Sequence, residues 1–214
     1  MKPKVTVIDY GLGNLFSIKR AFEHCDADVK ITQSHDDIGK ADRLVLPGVG
    51  AFSAGVIGLK ELCLLEPIKE YALTGRPFLG ICLGMQMMLK VSEEFGSHEG
   101  LGLIPGKVTV IPSKDVKGKK LKIPHIGWNS LYNSPNNESW ENTILKGITP
   151  DTYMYFVHSY HAVPSDKNSC IAFTDYGGNS LSAVISMDYV YGCQFHPERS
   201  GKVGLRIIKN FLCI

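Results

Sequence analysis

Long apolar runs, a strong net charge and closely spaced cysteines are all missing from this sequence. No apolar stretch approaches the ~20 residues that a membrane-spanning helix requires. The first residues have neither the long apolar stretch nor the small-residue cleavage site of a signal peptide. The formal net charge of +2 is too small to indicate a nucleic-acid or membrane surface. We therefore expect a cytoplasmic protein that binds neither nucleic acid nor membranes.

The six cysteines are scattered along the chain, and no two of them have C-x-x-C spacing. This pattern does not resemble a disulfide scaffold and predicts free thiols, most of them buried as small apolar residues. Internal repeats, low-complexity tracts and linkers are also missing. Because 214 residues are enough for one substantial core, we expect a single domain over residues 1–214.

The two halves of the sequence have different patterns. In the first half, β-branched runs alternate with helical patterns, which predicts strands at 5–8, 29–31, 43–47 and 78–81, and helices at 15–24, at 52–74 with breaks at Gly58 and Pro67, and over 85–90. The second half predicts strands at 107–111, 121–124, 153–157, 171–174, 181–185 and 190–195, a hairpin turn at 176–179 and a helix at 203–212. The prediction is an α/β fold with a mostly parallel sheet, helices on both of its faces and a β-rich second half.

A candidate nucleophile lies between the fourth predicted strand and the helix after it. Gly80-Ile81-Cys82-Leu83-Gly84 has the form of a G-x-S-x-G elbow in which Cys replaces Ser. A sharp strand-to-helix turn strains the nucleophile's backbone and leaves no room for a Cβ atom two residues away on either side. The N-terminus of the following helix favours thiolate over thiol at Cys82. Taken alone, the motif favours a buried cysteine in an ordinary turn, because glycines are common in such loops.

A candidate base follows the last predicted strand, in Phe195-His196-Pro197-Glu198. A cysteine nucleophile needs an imidazole that takes its proton and later protonates the leaving amine. The imidazole in turn needs a third group that fixes its tautomer and orientation, and Glu198 is near enough in sequence to do so. Taken alone, this segment favours a surface turn.

Together these two segments resemble a known signature. Gly80–Gln86 with Phe195–Glu198 is similar to the class I glutamine amidotransferases and their Cys-His-Glu triad. Further segments resemble the glutaminase subunits of imidazole glycerol phosphate synthases, namely Asp9-Tyr10-Gly11-Leu12-Gly13-Asn14, Pro47-Gly48-Val49-Gly50, Gly100–Gly106, Pro124-His125-Ile126-Gly127-Trp128-Asn129 and Tyr155–Tyr160. The resemblance covers essentially the whole chain. It implies a flavodoxin-like α/β domain with a mixed central sheet.

The resemblance also implies a role for each matching position. Cys82 matches the nucleophile, His196 the base and Glu198 its orienting carboxylate. Gln86 matches a side chain that helps to bind glutamine, and the backbone of Ser159 and Tyr160 matches the segment that holds its amino-acid end. Two remaining groups complete the expected site: Glu94, which is expected to face the α-ammonium, and the oxyanion donors, supplied by the loop at Gly48 and Val49 and by the amide of Leu83. The glycines around Val49 would allow a peptide flip of this loop in response to a partner.

Cofactor and metal sites are not expected. Gly11-Leu12-Gly13 follows a strand as a dinucleotide fingerprint does, but Phe16 stands where the third glycine belongs. His158 and His161 lie close in sequence, yet residues three apart on a strand point to opposite faces, and a third ligand is missing. We therefore predict neither a cofactor nor a metal.

The function implied by the resemblance is hydrolysis of glutamine to glutamate and ammonia. In that family the ammonia passes to a (β/α)₈ cyclase in a heterodimer that makes imidazole glycerol phosphate for histidine biosynthesis. Three alternatives stay open at this point: the same chemistry in a paralogue that amidates surface-polysaccharide sugars, a cysteine peptidase of similar fold, and a binding subunit without activity. The complete triad argues against the last alternative.

Overall fold

The first part of the chain builds strands connected by helices. In the computed structural model, which describes residues 1–135 and 139–214, its elements are β1 (Lys4–Ile8), α1 (Leu15–His24), β2 (Asp28–Thr32), α2 (His35–Gly39), β3 (Leu44–Leu46), α3 (Phe52–Glu61), α4 (Leu65–Ala72) and β4 (Phe78–Ile81). All residues of β3 and β4 are buried. Such unbroken apolar strands are typical of a parallel sheet with both faces covered.

The rest of the chain is richer in strands. Its elements are α5 (Leu83–Met87), β5 (Leu89–Ser92), β6 (His98–Glu99), β7 (Ile104–Val110), β8 (His125–Asn133), β9 (Thr152–His158), β10 (Tyr160–Pro164), β11 (Cys170–Tyr176), β12 (Asn179–Met187), β13 (Val190–Cys193) and α6 (Gly201–Leu212). Two short 3₁₀ helices occupy Lys167–Ser169 and Pro197–Arg199. Alternating buried and exposed residues in β9 are typical of a strand with one face on the core.

A nine-stranded sheet joins the two parts in the order β2-β1-β3-β4-β13-β12-β11-β8-β9. The pairs from β2 through β13 are parallel, and the pairs from β13 to β9 are antiparallel. The mixed sheet that the sequence predicts is confirmed. Parallel and antiparallel strand pairs are equally numerous in it, whereas a mostly parallel sheet was expected. A smaller sheet has the order β10-β7-β5-β6.

Apolar side chains cover both faces of the large sheet. One core packs α1 and α6 on one face, with Phe22 and Phe211 in edge-to-face contact. The other core packs α2, α3, α4 and α5 on the opposite face, together with residues of the smaller sheet. Helices on both faces, as predicted, leave the ends of the strands as the place where loops converge. Among the described residues, no helix combines the length and apolar character that a membrane crossing would need.

Two helical predictions are wrong in detail. The helix expected over 52–74 is two helices, and the break lies at Leu62–Leu64 rather than at Gly58 or Pro67. Pro67 lies in the first turn of α4, where no intrahelical donor is lost, and Gly58 allows close approach to the Tyr10 carbonyl. The helix expected over 85–90 spans Leu83–Met87, because the chain then turns into β5, which pairs with β7.

Several strand predictions also need correction. Residues 121–124 form no strand, since Pro124 lacks a ladder donor, and β8 begins at the next residue. The last strand ends at Cys193 rather than at Phe195. Four strands were not predicted, namely β5, β6, β8 and β10. Three of them, β5, β8 and β10, are held by pairing with strands farther away in the chain, and the two-residue β6 pairs with β5. Local patterns do not report such pairing.

Candidate active site

Cys82 occupies a strained turn between β4 and α5. Its backbone has φ 53° and ψ −107°, in a region that residues other than glycine rarely adopt. A Cβ atom on Gly84 would fall on the Leu46 carbonyl, and one on Gly80 would come within 2.7 Å of the Met85 nitrogen. The flanking glycines are therefore required by crowding around the elbow. The turn presents Cys82 at the carboxyl end of β4.

The pairing of β4 with β13 brings Cys82 and His196 together. These two strands are parallel, and Ile81 is in register with Cys193. The Cys82 amide continues the ladder by donating to the Cys193 carbonyl at 2.7 Å. Because both strands end at the same edge of the sheet, the side chains that follow them meet there. The pairing of β4 with β13 thus brings together two residues, Cys82 and His196, that are far apart in the sequence.

The imidazole of His196 is held by Glu198. Its Nδ1 donates to Oε1 of Glu198 at 2.8 Å, and the two side chains are 5% and 1% exposed. Its Nε2 is buried, and the interaction of the ring with Cys82 favours the imidazolium. Burial disfavours the imidazolium, but the interactions with Cys82 and Glu198 outweigh burial and raise the pKa of His196 to about 10. His196 can therefore hold a proton at neutral pH.

Cys82 and His196 open onto a cavity of about 440 Å³. This volume lies in the range of small-molecule sites. Most of the side chains predicted for the site line it, namely Val49, Cys82, Leu83, Gln86, Glu94, Ser159, Tyr160 and His196. Gly48 and Glu198 lie outside the lining, the first on the loop that precedes Val49 and the second behind His196. The cavity therefore collects residues from both parts of the sheet.

The loop from Pro47 to Gly50 packs tightly against the elbow. Tyr10 donates its hydroxyl to the Pro47 carbonyl at 2.7 Å. A Cβ atom on Gly48 would overlap that hydroxyl and come within 2.8 Å of the Leu83 Cβ. Gly50, by contrast, has open space and φ 100°, a conformation that favours glycine. The loop thus approaches Leu83 closely on one side and presents Val49 to the cavity on the other.

Glu94 and Gln86 are the polar side chains of the opposite wall. The buried Glu94 carboxylate accepts a hydrogen bond of 2.6 Å from the amide of Phe52, the first residue of α3. Gln86 donates from Nε2 to the Tyr160 carbonyl at 2.9 Å and to Oε1 of Gln194 at 3.0 Å. Glu94 thereby connects the cavity to the helix that follows the Pro47–Gly50 loop.

Some residues of the site were not predicted. Gln194 places its Nε2 3.8 Å from the Cys82 sulfur, and the Val157 carbonyl lies 3.9 Å from the same sulfur. Pro124 and His158 line the cavity. The only sequence signal for Gln194 was its position directly before Phe195 and His196. Pro124 was predicted as the end of a strand and His158 was weighed as a metal ligand, and both lie in segments that carry the family resemblance.

The two histidines considered as metal ligands have separate partners. They lie on different strands, His158 at the end of β9 and His161 within β10. Nε2 of His158 faces His125 at 3.0 Å, while Nε2 of His161 faces the Thr109 hydroxyl at 3.4 Å. Within residues 1–135 and 139–214, no three His, Cys, Asp or Glu side chains are grouped so that they could hold a metal ion.

The fold and this site define a class of protein. A family model described as glutamine amidotransferase class-I matches residues 6–214. A solved structure, "Structure of PurLQS from Thermotoga maritima", superimposes with a TM-score of 0.73 at 20% identity, covering 100% of this chain and 99% of that one. The chain belongs to the class I glutamine amidotransferases.

Relatives of higher sequence identity show which family within this class the chain belongs to. The imidazole glycerol phosphate synthase subunit HisH 1 of Legionella pneumophila (strain Lens) is 56% identical, over 98% of this chain and 99% of that protein. The subunit HisH of Syntrophotalea carbinolica is 43% identical, over 97% and 98% of the two chains. Within its class, the chain is therefore a member of the HisH family.

Proposed function

We propose that this chain hydrolyses glutamine through Cys82, His196 and Glu198 and supplies the ammonia to a cyclase subunit of imidazole glycerol phosphate synthase in histidine biosynthesis. The observation that carries the proposal is the cavity in which the strained Cys82 faces the buried His196–Glu198 pair. The HisH relatives support the pathway and the acceptor. The proposal treats residues 1–214 as one amidotransferase domain that acts in the cytoplasm.

The chemistry begins with the shared proton of the Cys82–His196 pair on His196, which leaves Cys82 as a thiolate. The sulfur then attacks the side-chain amide of glutamine and forms a tetrahedral intermediate that carries an oxyanion. The amide of Leu83 belongs to the first turn of α5, where it has no intrahelical acceptor, and it serves as one oxyanion donor. The Gly48–Val49 segment supplies the second donor. His196 protonates the amide nitrogen, which leaves as ammonia when the C–N bond breaks, and then takes a proton from the water that hydrolyses the thioester.

The opposite wall binds the amino-acid end of glutamine. Glu94 is the buried anion of the cavity and pairs with the α-ammonium. Both bonds of the Gln86 amide nitrogen go to protein acceptors, so its oxygen is the group that accepts from the substrate. The Ser159–Tyr160 backbone holds the carboxylate end. These contacts place the reacting amide at Cys82.

The cyclase would dock on the outer face of β8 and β9. Ile126, Trp128 and Tyr153 are each more than half exposed there, and Trp128 lies opposite Tyr155 across the strand pair. Apolar side chains exposed together are typical of a protein interface. Pro124, which directly precedes β8, lines the cavity. Ammonia would therefore leave the cavity beside the partner and avoid protonation in bulk water.

A glutaminase assay tests the proposal. Release of glutamate from glutamine is measured with the chain alone, with the cyclase subunit, and with the cyclase and its nucleotide ligand. We expect stimulation when both are added, together with formation of imidazole glycerol phosphate. Stimulation by a different synthase would show another acceptor, and cleavage of peptides without glutamine hydrolysis would show a peptidase instead.

A further inference from the structure

Two buried histidines form a chain of hydrogen bonds that the catalytic steps do not use. His125 and His158 face each other across the β8–β9 pair, in register, and are 4% and 6% exposed. Nδ1 of His125 lies 3.0 Å from Nε2 of His158, and Nδ1 of His158 lies 2.9 Å from the Tyr160 carbonyl. Side chains buried this deeply are tolerated only when their polar atoms are paired.

The direction of each bond follows from its last acceptor. A carbonyl oxygen can only accept, so Nδ1 of His158 carries a hydrogen, and because the buried ring is neutral its Nε2 does not. His158 Nε2 therefore accepts from Nδ1 of His125. The Nε2 of His125 is then left as an acceptor for the Asn129 amide nitrogen, at 3.3 Å. Every ring nitrogen in the chain has a role, and both histidines are neutral. Burial accordingly lowers the pKa of His125 to about 4 and that of His158 to about 3.

The last acceptor of this hydrogen-bond chain, the Tyr160 carbonyl, also orients a side chain of the substrate cavity. The Tyr160 carbonyl accepts from His158 and from Gln86, so a single oxygen orients both. Gln86 also bonds Gln194, whose amide nitrogen lies 3.8 Å from the Cys82 sulfur. On the other side of the same turn, the Ser159 carbonyl accepts from Ile111 at 2.9 Å. The Ser159–Tyr160 turn is thus fixed by contacts that lie outside the triad.

We propose that His125 and His158 are positioning residues for glutamine, holding the Tyr160 carbonyl and through it the Gln86 side chain in the arrangement that binds substrate. This inference rests on the proposed glutaminase activity, because it assigns the same cavity to glutamine. It adds two residues that touch no reacting atom. Their loss is expected to weaken substrate binding while leaving Cys82 and its base in place.

Paired substitutions separate positioning from mere burial. His158→Asn keeps a side-chain N–H near the Tyr160 carbonyl, whereas His158→Leu removes it. His125→Asn and His125→Leu make the same comparison for the hydrogen bond that His125 donates to His158. His161→Leu is the control, since His161 is partly buried and shares β10 with Tyr160 but bonds Thr109. The control is expected to bind glutamine like the unsubstituted protein.

Two measurements on the full synthase complex test the inference. Calorimetric titration of glutamine in a Cys82→Ala background measures binding without chemistry, and the rate of alkylation of Cys82 by iodoacetamide reports the triad in chains that retain Cys82. We expect His158→Leu to raise Kd and KM for glutamine by about tenfold, the scale of one buried hydrogen bond. The alkylation rate should stay unchanged, and His158→Asn should recover most of the affinity.

Three results would overturn the inference. These are an unchanged Kd in His158→Leu, an equal loss in His161→Leu, and alkylation that falls in parallel with binding. If the leucine variants do not fold, the Asn variants decide instead. His125→Asn keeps an N–H for His158 but loses the bond from Asn129 and the ring contacts with Phe156 and Tyr176. None of these reaches the Tyr160 carbonyl, so the affinity should lie within about threefold of the unsubstituted chain, and a larger loss would contradict the scheme. A chain that binds glutamine without hydrolysing it would refute the proposed function alone.

Discussion

The parallel and antiparallel parts of the nine-stranded sheet contribute different chemistry to the cavity. The parallel part supplies Cys82 and the Pro47–Gly50 loop, both at the carboxyl ends of short, wholly buried strands. The antiparallel part supplies Val157 and the turn at Ser159, next to longer strands with one exposed face. β13 is shared, because it pairs in parallel with β4 and antiparallel with β12.

The two parts of the sheet are suited to different tasks, namely holding the strained Cys82 and contacting a partner protein. Buried parallel strands give a rigid frame on which a strained nucleophile can be held, since strain persists only where the surroundings are fixed. Antiparallel strands with an exposed face can meet a partner protein while their inner face packs on the core and the turn at their end lines the cavity. His196 follows β13 and so lies where both tasks meet. Substitutions on the two sides are expected to fail in different ways.

The largest effect is expected from removing the nucleophile on the parallel side. Cys82→Ala should lower glutamine hydrolysis by at least about a thousandfold, because no other group in the cavity can form the thioester. Synthesis of imidazole glycerol phosphate from ammonium salts by the complex should continue. The control is Cys63→Ser, which changes an exposed free thiol and should leave both rates intact. Loss of the ammonium-dependent rate in Cys82→Ala would instead indicate a damaged complex.

Removing the carboxylate behind His196 should have the next largest effect. Glu198→Gln loses the charge that helps to hold the imidazolium, so kcat/KM for glutamine should fall by about a hundredfold or more. The pKa of His196, raised by Cys82 and Glu198, should move down, which imidazole titration by NMR measures. Glu93→Gln is a matched control, because Glu93 pairs with Lys107 on the surface. An unmoved His196 titration would contradict the assigned contact.

Substitutions of Glu94 separate its contact with the Phe52 amide from its proposed contact with the substrate. Glu94→Gln keeps an oxygen for the Phe52 amide but loses the charge that we propose pairs with the α-ammonium, so KM for glutamine should rise by about ten- to a hundredfold with stability little changed. Glu94→Ala should lose both contacts and about 1 kcal/mol of stability in addition. Steady-state kinetics and urea unfolding compare the two variants. Equal KM values for Glu94→Gln and the unsubstituted chain would exclude an ammonium contact.

The smallest effects are expected from the loop glycines. Gly48→Ala adds an atom where Tyr10 and Leu83 leave no space, and should cost about 1–3 kcal/mol of stability. Gly50→Ala meets no neighbour but strains a backbone at φ 100°, so it should change the ratio of cyclase-stimulated to basal glutaminase rates by several-fold. Identical basal and stimulated rates in both variants would rule out a role for loop conformation in activation.

Local patterns predicted the parts of the site but not their assembly. Cys82 and His196 were found because each lies in a short motif directly after a strand, where the chain must turn. The parallel pairing of β4 with β13 leaves no trace in either strand, since both are continuous buried runs. It therefore had to come from resemblance or from structure.

The contacts that were missed are long-range. The His125–His158 pair and the Glu94–Phe52 bond join residues whose neighbours in sequence say nothing about each other. The segment after α5 misled the prediction for the same reason. Its apolar residues continue a helical pattern, but pairing of β5 with β7 outweighs that local preference. Strand pairing, more than propensity, decided each of these positions.

The position of β13 between β4 and β12 has a consequence for biosynthesis. A ribosome releases β4 long before β13, so the nascent chain carries Cys82 on a strand whose outer edge is still open. An open edge can pair with other chains until its proper neighbour arrives. During that interval the thiol also lacks its imidazole. The active centre is therefore completed only when β13 pairs with the open edge of β4. The nascent polypeptide is expected to be inactive until then.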